Sequence, residues 1–169
     1  MAEAASAGGV VEAVNFNSPG QVVIAGERAA VLRAIDMAKG RGAKRALELP
    51  VSVPSHSSLM KPAGDKLAQR LASIEVRTPT LRYLSAVDAR EHREPADIRD
   101  LLVAQLSSPV RWTTTTAALT AAGAKVIVEC GPGGVLAGLV KRISRGTDTQ
   151  TFALDNPESF QAAALAAAA

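Results

Sequence analysis

The sequence is poor in the residues that build several common kinds of site. It contains a single cysteine, Cys130, so an intramolecular disulfide and a cysteine-based structural zinc site are both excluded. Aromatic residues make up only 3% of the chain, which argues against stacking platforms for single-stranded nucleic acid. The net charge of +3 is too small and too dispersed for a duplex DNA surface. We therefore expect no nucleic-acid partner.

Signals for export or membrane insertion are also missing. Residues 1–9 include Glu3 and lack the basic start of a secretory signal peptide. The longest apolar stretch, residues 126–140, is interrupted by Glu129 and Pro132 and is shorter than the roughly 20 residues of a membrane span. Together with the scarcity of cysteine, these absences predict a cytoplasmic protein with no membrane partner.

The first third of the chain has the pattern of two strands, a helix and a third strand. Runs rich in β-branched residues at 10–16 and 21–25 flank the sequence NSPG, which favours a type II turn and hence a β-hairpin. Residues 27–39 have apolar residues at helical spacing, with Gly40 as the expected C-terminal cap, and residues 43–54 favour a further strand. This order is part of a ferredoxin-like pattern whose opening elements are missing.

Helices and strands alternate over the rest of the chain, which predicts an α/β fold with a parallel sheet. The predicted segments are a helix at 58–74, a strand at 80–89, a charged loop at 91–95, helices at 96–106 and 113–123, a buried strand at 125–130, a helix at 135–143, a strand at 151–155 and a terminal helix capped by Asn156.

His56 is the main candidate for chemistry, because it lies at a strand-to-helix junction. A neutral imidazole held there could act as a general base, and a surface histidine that caps a turn is the alternative. The second histidine, His92, lies in the charged loop and is expected to be exposed to solvent. The sequence lacks the Gly-x-Ser-x-Gly turn that exposes a nucleophilic serine, and Cys130 is expected in the core. The residues alone leave the role of His56 open.

Other polar residues have two interpretations each. The glycine-rich loop at 131–134 could bind phosphate, but its spacing matches no phosphate-binding motif, so a structural turn is favoured. Asn15 and Asn17 share one face of a strand, where their amides either bind a polar ligand or connect the hairpin to its neighbours. Gln105 is a single polar residue among apolar ones. Two histidines far apart in sequence predict no metal site.

Four segments together carry a resemblance. They are VNFNSPGQVVIAG at 14–26, RALELPVSVPSHSSLMKPAGDKLA at 45–68, AQLSSPVRW at 104–112 and ECGPGGVLAGLVKRI at 129–143. In this order they resemble the bacterial malonyl-CoA:acyl carrier protein transacylase family, over about residues 10–156. The resemblance implies that residues 1–55 form a partial ferredoxin-like small subdomain. Residues 56–169 would then be the C-terminal part of an α/β-hydrolase-like parallel-sheet subdomain.

The resemblance also implies a reaction. In this family a serine attacks the thioester of malonyl-CoA, a histidine accepts its proton, and the malonyl group passes to the phosphopantetheine thiol of acyl carrier protein. His56 matches the catalytic histidine, and Gln105 matches the glutamine whose main-chain carbonyl orients that imidazole. Asn15 and Asn17 match asparagines of the cleft wall and are candidate substrate contacts. The implied partners are malonyl-CoA and acyl carrier protein, with no cofactor besides the coenzyme A thioester that serves as substrate.

Three parts of the family pattern have no counterpart in the sequence: the oxyanion segment, the nucleophile elbow and the arginine that pairs with the malonyl carboxylate. We therefore expect a C-terminal portion of the enzyme that is inactive by itself and that needs a complementary N-terminal fragment or self-associates. The alternative is a non-catalytic module in which Lys61, Arg82 and Arg111 bind an acidic carrier protein. A third interpretation, a ferredoxin-like ligand sensor, rests only on the incomplete βαβ pattern.

Overall fold

The computed structural model describes residue 4 and residues 7–131 and 133–168. Its fold is mixed α/β. The elements, in chain order, are β1 (Val11–Ser18), β2 (Gln21–Gly26), α1 (Arg28–Gly40), a 3₁₀ turn (Ser58–Met60), α2 (Lys61–Leu71), β3 (Tyr83–Leu84), β4 (Glu91–His92), α3 (Pro95–Ala104), α4 (Trp112–Ala121), β5 (Val126–Glu129), α5 (Val135–Ile143), β6 (Gln150–Ala153) and α6 (Pro157–Ala168).

The predicted hairpin is present as an antiparallel pair of β1 and β2. Ser18 and Gln21 form its closing pair, and Gly20 between them has a φ of +77°, as the third position of a type II turn requires. The register shifts twice along the pair, once between Ala13 and Asn15 and once before Ser18. Such bulges bend a strand and change the direction of its side chains.

Helix α1 packs on the hairpin through small apolar side chains. Val11, Ala30 and Ala34 are buried, and Ile24 and Val31 pack against them. Two of the three buried side chains of the helix are alanines, with Ile35 as the third, so the helix can approach the strands closely.

The end of α1 differs in detail from the prediction. Gly40 is its last residue, and the position with a left-handed backbone is Gly42, whose φ is +84°. The C-terminal cap is Arg41, so the cap expected at Gly40 is wrong by one residue.

The strand expected at 43–54 does not form. The segment lies outside the strands of the structure, and Leu47, Leu49, Val51 and Val53 are each at least 45% exposed. A strand needs a neighbour that pairs with its backbone, and no described segment occupies that position. The split βαβ pattern is therefore limited to two strands and one helix in the described residues.

The segment 80–95 also differs from prediction. Only Tyr83 and Leu84 of the expected strand pair, and their partners are His92 and Glu91 of the expected loop. The bond between Arg82 and Glu91 stabilises this short hairpin from its surface, with Nε 2.9 Å from the carboxylate.

The C-terminal region contains the predicted parallel pair. Strand β5 pairs with β6 in parallel from Val126 opposite Gln150 to Glu129 opposite Ala153, and the crossover between them is α5. The strand is half-buried, and Cys130 just beyond it is exposed, so the expectation of a core cysteine is wrong. The chain has left the strand at that point and enters the glycine-rich loop.

Val110 connects this region to the hairpin. Its N–H donates to the carbonyl of Val14 at 2.8 Å, and its carbonyl accepts from the N–H of Phe16 at 2.9 Å. Asn15 and Val110 thereby form a parallel bridge on the side of β1 opposite β2. The segment that follows α3 is thus held against β1. No helix in the described ranges is both long and apolar enough to cross a membrane.

Candidate active site

His56 lies in a tight turn that precedes α2. The turn is closed by Ser57, a fully buried residue whose Oγ donates to the carbonyl of Pro54 at 2.6 Å and whose N–H donates to the same oxygen at 3.2 Å. His56 itself has a φ of +64°. A left-handed conformation costs a non-glycine residue about 1–2 kcal/mol, so the surrounding contacts must hold it in place.

Two of those contacts come from the end of α3. The N–H of His56 donates to the carbonyl of Leu106 at 3.1 Å, and Nδ1 of its ring lies 2.7 Å from the carbonyl oxygen of Gln105. A carbonyl oxygen can only accept, so Nδ1 is the ring nitrogen that carries the hydrogen. In the neutral imidazole the lone pair is then on Nε2, which makes no hydrogen bond within the described part of the chain. This is the tautomer that a general base needs.

Gln105 contributes its backbone and not its amide to this arrangement. It is the C-terminal cap of α3, where carbonyl groups have no partner within the helix and are free to accept from elsewhere. Its side chain is exposed, and Nε2 bonds back to the carbonyl of Leu102 at 3.2 Å. The residue type therefore matters less here than the position at which the helix ends.

The turn is also held from the hairpin side, by a pair of residues that sequence reasoning missed. Both oxygens of the Glu12 carboxylate accept from Ser58: Oε2 from its N–H at 2.7 Å and Oε1 from its hydroxyl at 2.8 Å. The only sequence signal was a single charged residue within the strand.

Asn15 and Asn17 are half-buried on β1. Asn15 pairs with Val23 and bridges Val110, whereas Asn17 falls in the second register shift. Neither side-chain amide hydrogen-bonds to another described residue, so they do not connect the hairpin to its neighbours there. Asn15 is three residues, or about 10 Å along a strand, from Glu12, which contacts the turn at His56. Neither asparagine hydrogen-bonds to His56 within the described residues.

His92 is not the solvated residue that was expected. Its side chain is only 18% exposed, and Nε2 lies 2.9 Å from Oδ2 of Asp88. The Asp88 carboxylate therefore bonds to Nε2 of His92, whereas Nε2 of His56 has no partner among the described residues. The tertiary structure therefore distinguishes the two histidines by which ring nitrogen has a partner.

Two backbone N–H groups, one in the glycine-rich loop and one in the first turn of α5, donate to the protein's own carboxylates. The N–H of Gly133 donates to Oδ1 of Asp155 at 2.9 Å, and the N–H of Ala137 donates to Oε2 of Glu129 at 2.9 Å. Both groups lie near the start of α5, where unpaired backbone N–H groups favour a phosphate. Pro132 lies outside the described residues, and the geometry around it agrees with a structural turn.

The three basic candidates differ in their surroundings. The pKa of Arg82 lies above its ordinary value because its guanidinium donates to the carboxylate of Glu91, so much of its charge is compensated. Lys61 and Arg111 are exposed and their side chains have no carboxylate partner among the described residues. In that same part of the chain, no three His, Cys, Asp or Glu side chains are grouped so that they could hold a metal ion.

Comparison with known proteins identifies the family to which the chain belongs. Residues 2–155 match the family described as the acyl transferase domain. The chain is 53% identical over 158 residues to the malonyl CoA-acyl carrier protein transacylase of Haemophilus influenzae, which covers 94% of the chain and 50% of the relative. The chain thus spans about half the length of the curated relatives it matches.

Solved structures give the same result. The acyl-carrier-protein S-malonyltransferase of Burkholderia pseudomallei superposes with a TM-score of 0.91 at 48% identity, over 96% of this chain and 52% of that one. A malonyl-transacylase in complex with its type II PKS acyl-carrier protein superposes with a TM-score of 0.91 at 49% identity, over 96% and 52%. From the matched family and these similarities, the chain belongs to the acyl transferase domain family, among relatives named malonyl CoA-acyl carrier protein transacylase.

Proposed function

We propose that this chain supplies the general base of a malonyl-CoA:acyl carrier protein transacylase, and that His56 is that base. The observation that carries the proposal is the 2.7 Å contact between Nδ1 and the Gln105 carbonyl, which leaves the lone pair on Nε2. In the first half-reaction Nε2 takes the proton of a serine hydroxyl as its oxygen bonds to the malonyl carbonyl carbon. The imidazolium then returns the proton to the departing coenzyme A thiolate.

The second half-reaction uses the same atom in the same way. Nε2 takes the proton of the phosphopantetheine thiol as its sulfur attacks the malonyl ester, and the serine oxygen recovers a proton as it leaves. The Gln105 carbonyl stabilises the imidazolium in both steps, as the acid of a Ser-His-Asp triad does. The side-chain amides of Asn15 and Asn17 are half-buried and make no hydrogen bond to another described residue, and we propose them as substrate contacts. This scheme uses the coenzyme A thioester as substrate and no metal or further cofactor.

The nucleophile is the part that this sequence does not supply. No Gly-x-Ser-x-Gly motif occurs in its 169 residues, so we propose that the chain by itself forms no malonyl ester. We further propose that residues 1–55 belong to a ferredoxin-like small subdomain and residues 56–169 to an α/β-hydrolase-like large one, with His56 at their junction. The exposed apolar side chains at 47–53 support a surface that another segment covers in the assembled enzyme.

Acyl carrier protein is the proposed partner. The similarity to a transacylase solved with its carrier protein supports this assignment. Lys61 and Arg111 are exposed and have no carboxylate partner in the described part of the chain, and an acidic carrier protein would be attracted to them. The same observation favours the second candidate function, a binding module without chemistry.

Malonyl transfer is the direct test. The chain would be co-expressed with the part of the Haemophilus influenzae relative that the match leaves out, and intact masses would be measured with malonyl-CoA before and after carrier protein is added. We expect no malonylation of this chain alone, malonylation of the complementing polypeptide, and transfer to carrier protein. His56→Ala should lower the rate about 10²–10⁴-fold, whereas the matched control His92→Gln should leave it nearly unchanged.

Two results would contradict the proposal. A malonyl group on this chain would mean that its nucleophile is present, and full transfer by His56→Ala would mean that another group is the base. Salt-sensitive carrier-protein binding that is weakened by Lys61→Ala and Arg111→Ala, without transfer in the assembled pair, would favour the binding module.

A further inference from the structure

We infer that Glu12 is a positioning residue for His56 and acts through Ser58, an inference that rests on the proposed function only for its effect on transfer. Glu12 and Ser58 are 46 residues apart in the chain, and the two bonds between them are 2.7 and 2.8 Å long. Ser58 is two residues after His56, at the first position of the 3₁₀ turn.

The carboxylate is suited to this role in two respects. It presents two acceptor oxygens in one plane, and Ser58 has two donors, its N–H and its hydroxyl. Each donor bonds to one of the two oxygens. The contact also places a negative charge at the start of the helical segment formed by the 3₁₀ turn and α2, where unpaired N–H groups favour an anion. An amide in place of the carboxylate keeps one acceptor, and an alanine keeps neither.

The position of the contact explains why it should affect the imidazole. The carbonyl of Pro54, two residues before His56, accepts both bonds from Ser57, which follows it. At His56 itself, the backbone N–H donates to the carbonyl of Leu106. After His56, the contact with Glu12 is what ties the turn to β1. A non-glycine residue at a φ of +64° persists only where the flanking residues are held on both sides. Without the Glu12 contact, we expect the backbone of His56 to relax and Nδ1 to move away from the Gln105 carbonyl.

The consequence is a change in the tautomer of one ring. With the carbonyl bond intact, the hydrogen stays on Nδ1 and the lone pair on Nε2. With it broken, the imidazole exchanges between both tautomers, and the productive form is only part of the population. Loss of Glu12 should therefore lower kcat for malonyl transfer and leave KM for malonyl-CoA nearly unchanged, because no contact with the substrate is removed.

The test uses the 169-residue chain itself and needs neither nucleophile nor carrier protein. Its two histidines make the ¹⁵N spectrum of the imidazole nitrogens simple, and His92→Gln assigns the remaining signals to His56. We expect a predominant Nδ1–H tautomer in the unaltered chain. Glu12→Ala should shift the His56 nitrogens towards a tautomer mixture, and Glu12→Gln should restore most of the original pattern. Glu48→Ala removes a carboxylate that also bonds to a distant side chain, that of Arg28, and should change nothing at His56.

A second variant protects the test against misfolding. Ser58→Ala deletes only the hydroxyl and leaves the N–H bond to Oε2, so it should fold and give a smaller shift of the same kind. If the tautomer of His56 is the same in Glu12→Ala, Ser58→Ala and the unaltered chain, the inference is wrong. In the assembled enzyme, Glu12→Ala should lower kcat by up to about 10²-fold. A tautomer change without any change in kcat would leave the positioning role intact and contradict the role of His56 as base.

Discussion

The carbonyl oxygen of Gln105 lies 2.7 Å from Nδ1 of His56, across 49 residues of sequence. It is one of two carbonyl groups at the end of α3 that bind this residue, because the neighbouring carbonyl of Leu106 accepts the His56 N–H. A helix end thereby fixes the backbone and the ring of the same histidine.

The left-handed backbone of His56 predicts an unusual preference for glycine. His56→Gly and His56→Ala both remove the imidazole, so their difference in stability reports the backbone alone. We expect the glycine variant to be more stable by about 1 kcal/mol, because a Cβ at positive φ is strained. Urea denaturation would measure this difference. At the exposed helical residue Ala117, the same change to glycine should instead cost about 1 kcal/mol. Equal stability of the two His56 variants would contradict a strained turn.

Gly26 at the end of β2 should not tolerate any side chain. A Cβ built there would lie 2.0 Å from the carbonyl oxygen of Val10, an overlap with backbone that cannot move aside cheaply. We expect Gly26→Ala to destabilise the chain by at least about 2 kcal/mol, measured by thermal unfolding. Gly40→Ala is the matched control, since nothing lies near its Cβ position and it is helical, and it should be neutral or stabilising by up to about 1 kcal/mol. A neutral Gly26→Ala would mean that the hairpin ends differently.

The carboxylates of Asp155 and Glu129, which accept backbone N–H groups near the start of α5, should stabilise this end of the helix. We do not expect a bound anion to replace them. Asp155→Ala and Glu129→Ala each remove an acceptor from a backbone N–H and should each cost about 1 kcal/mol. Asp155→Asn retains an acceptor and should cost less. Inorganic phosphate should not raise the melting temperature of the unaltered chain. A specific increase with phosphate would show that the loop binds anions despite its internal partners.

The pair of Arg82 and Glu91 predicts a small, pH-dependent contribution to stability. The pKa of Glu91 lies below its ordinary value, chiefly because the Arg82 guanidinium hydrogen-bonds to the charged form. The stabilisation is therefore fully present above the unfolded pKa, near 4.3, and is lost as the pH falls through the lower folded pKa. The difference between the unaltered chain and Glu91→Gln, measured by urea denaturation, should vanish at acidic pH and shrink in high salt. A difference that grew on acidification would contradict the pairing.

Local patterns in the sequence predicted most of the elements. The hairpin, its turn at Gly20 and the helix that follows were all recognisable, because spacing of apolar residues and turn chemistry act over a few residues. The cap at Asn156 is another such case: its side chain accepts the N–H of Ser159 at 2.8 Å, as an N-cap does. The parallel pairing of β5 with β6 also followed from the order of the elements.

Predictions that depended on distant partners were less successful. The extended segment at 43–54 has strand-forming residues but lacks a described neighbour to pair with. His92 was expected in solvent, and a carboxylate four residues earlier holds it instead. Cys130 was expected in the core and is exposed, because β5 ends at Glu129 and the chain has left the sheet at Cys130. The catalytic assignments of His56, Gln105, Asn15 and Asn17 stay predictions that the proposed transfer assay would test.

The sequence by itself determined most of the helices and the first hairpin with its turn, and its motifs pointed to the family and to His56, because these properties reside in short stretches of chain. The tertiary structure decided which nitrogen of His56 carries the hydrogen, since that depends on a carbonyl 49 residues away. It also decided that Glu12 holds Ser58 from a distance of 46 residues. Contacts between residues so far apart follow from the way β1, α3 and the turn at His56 pack together, and no local pattern encodes that packing.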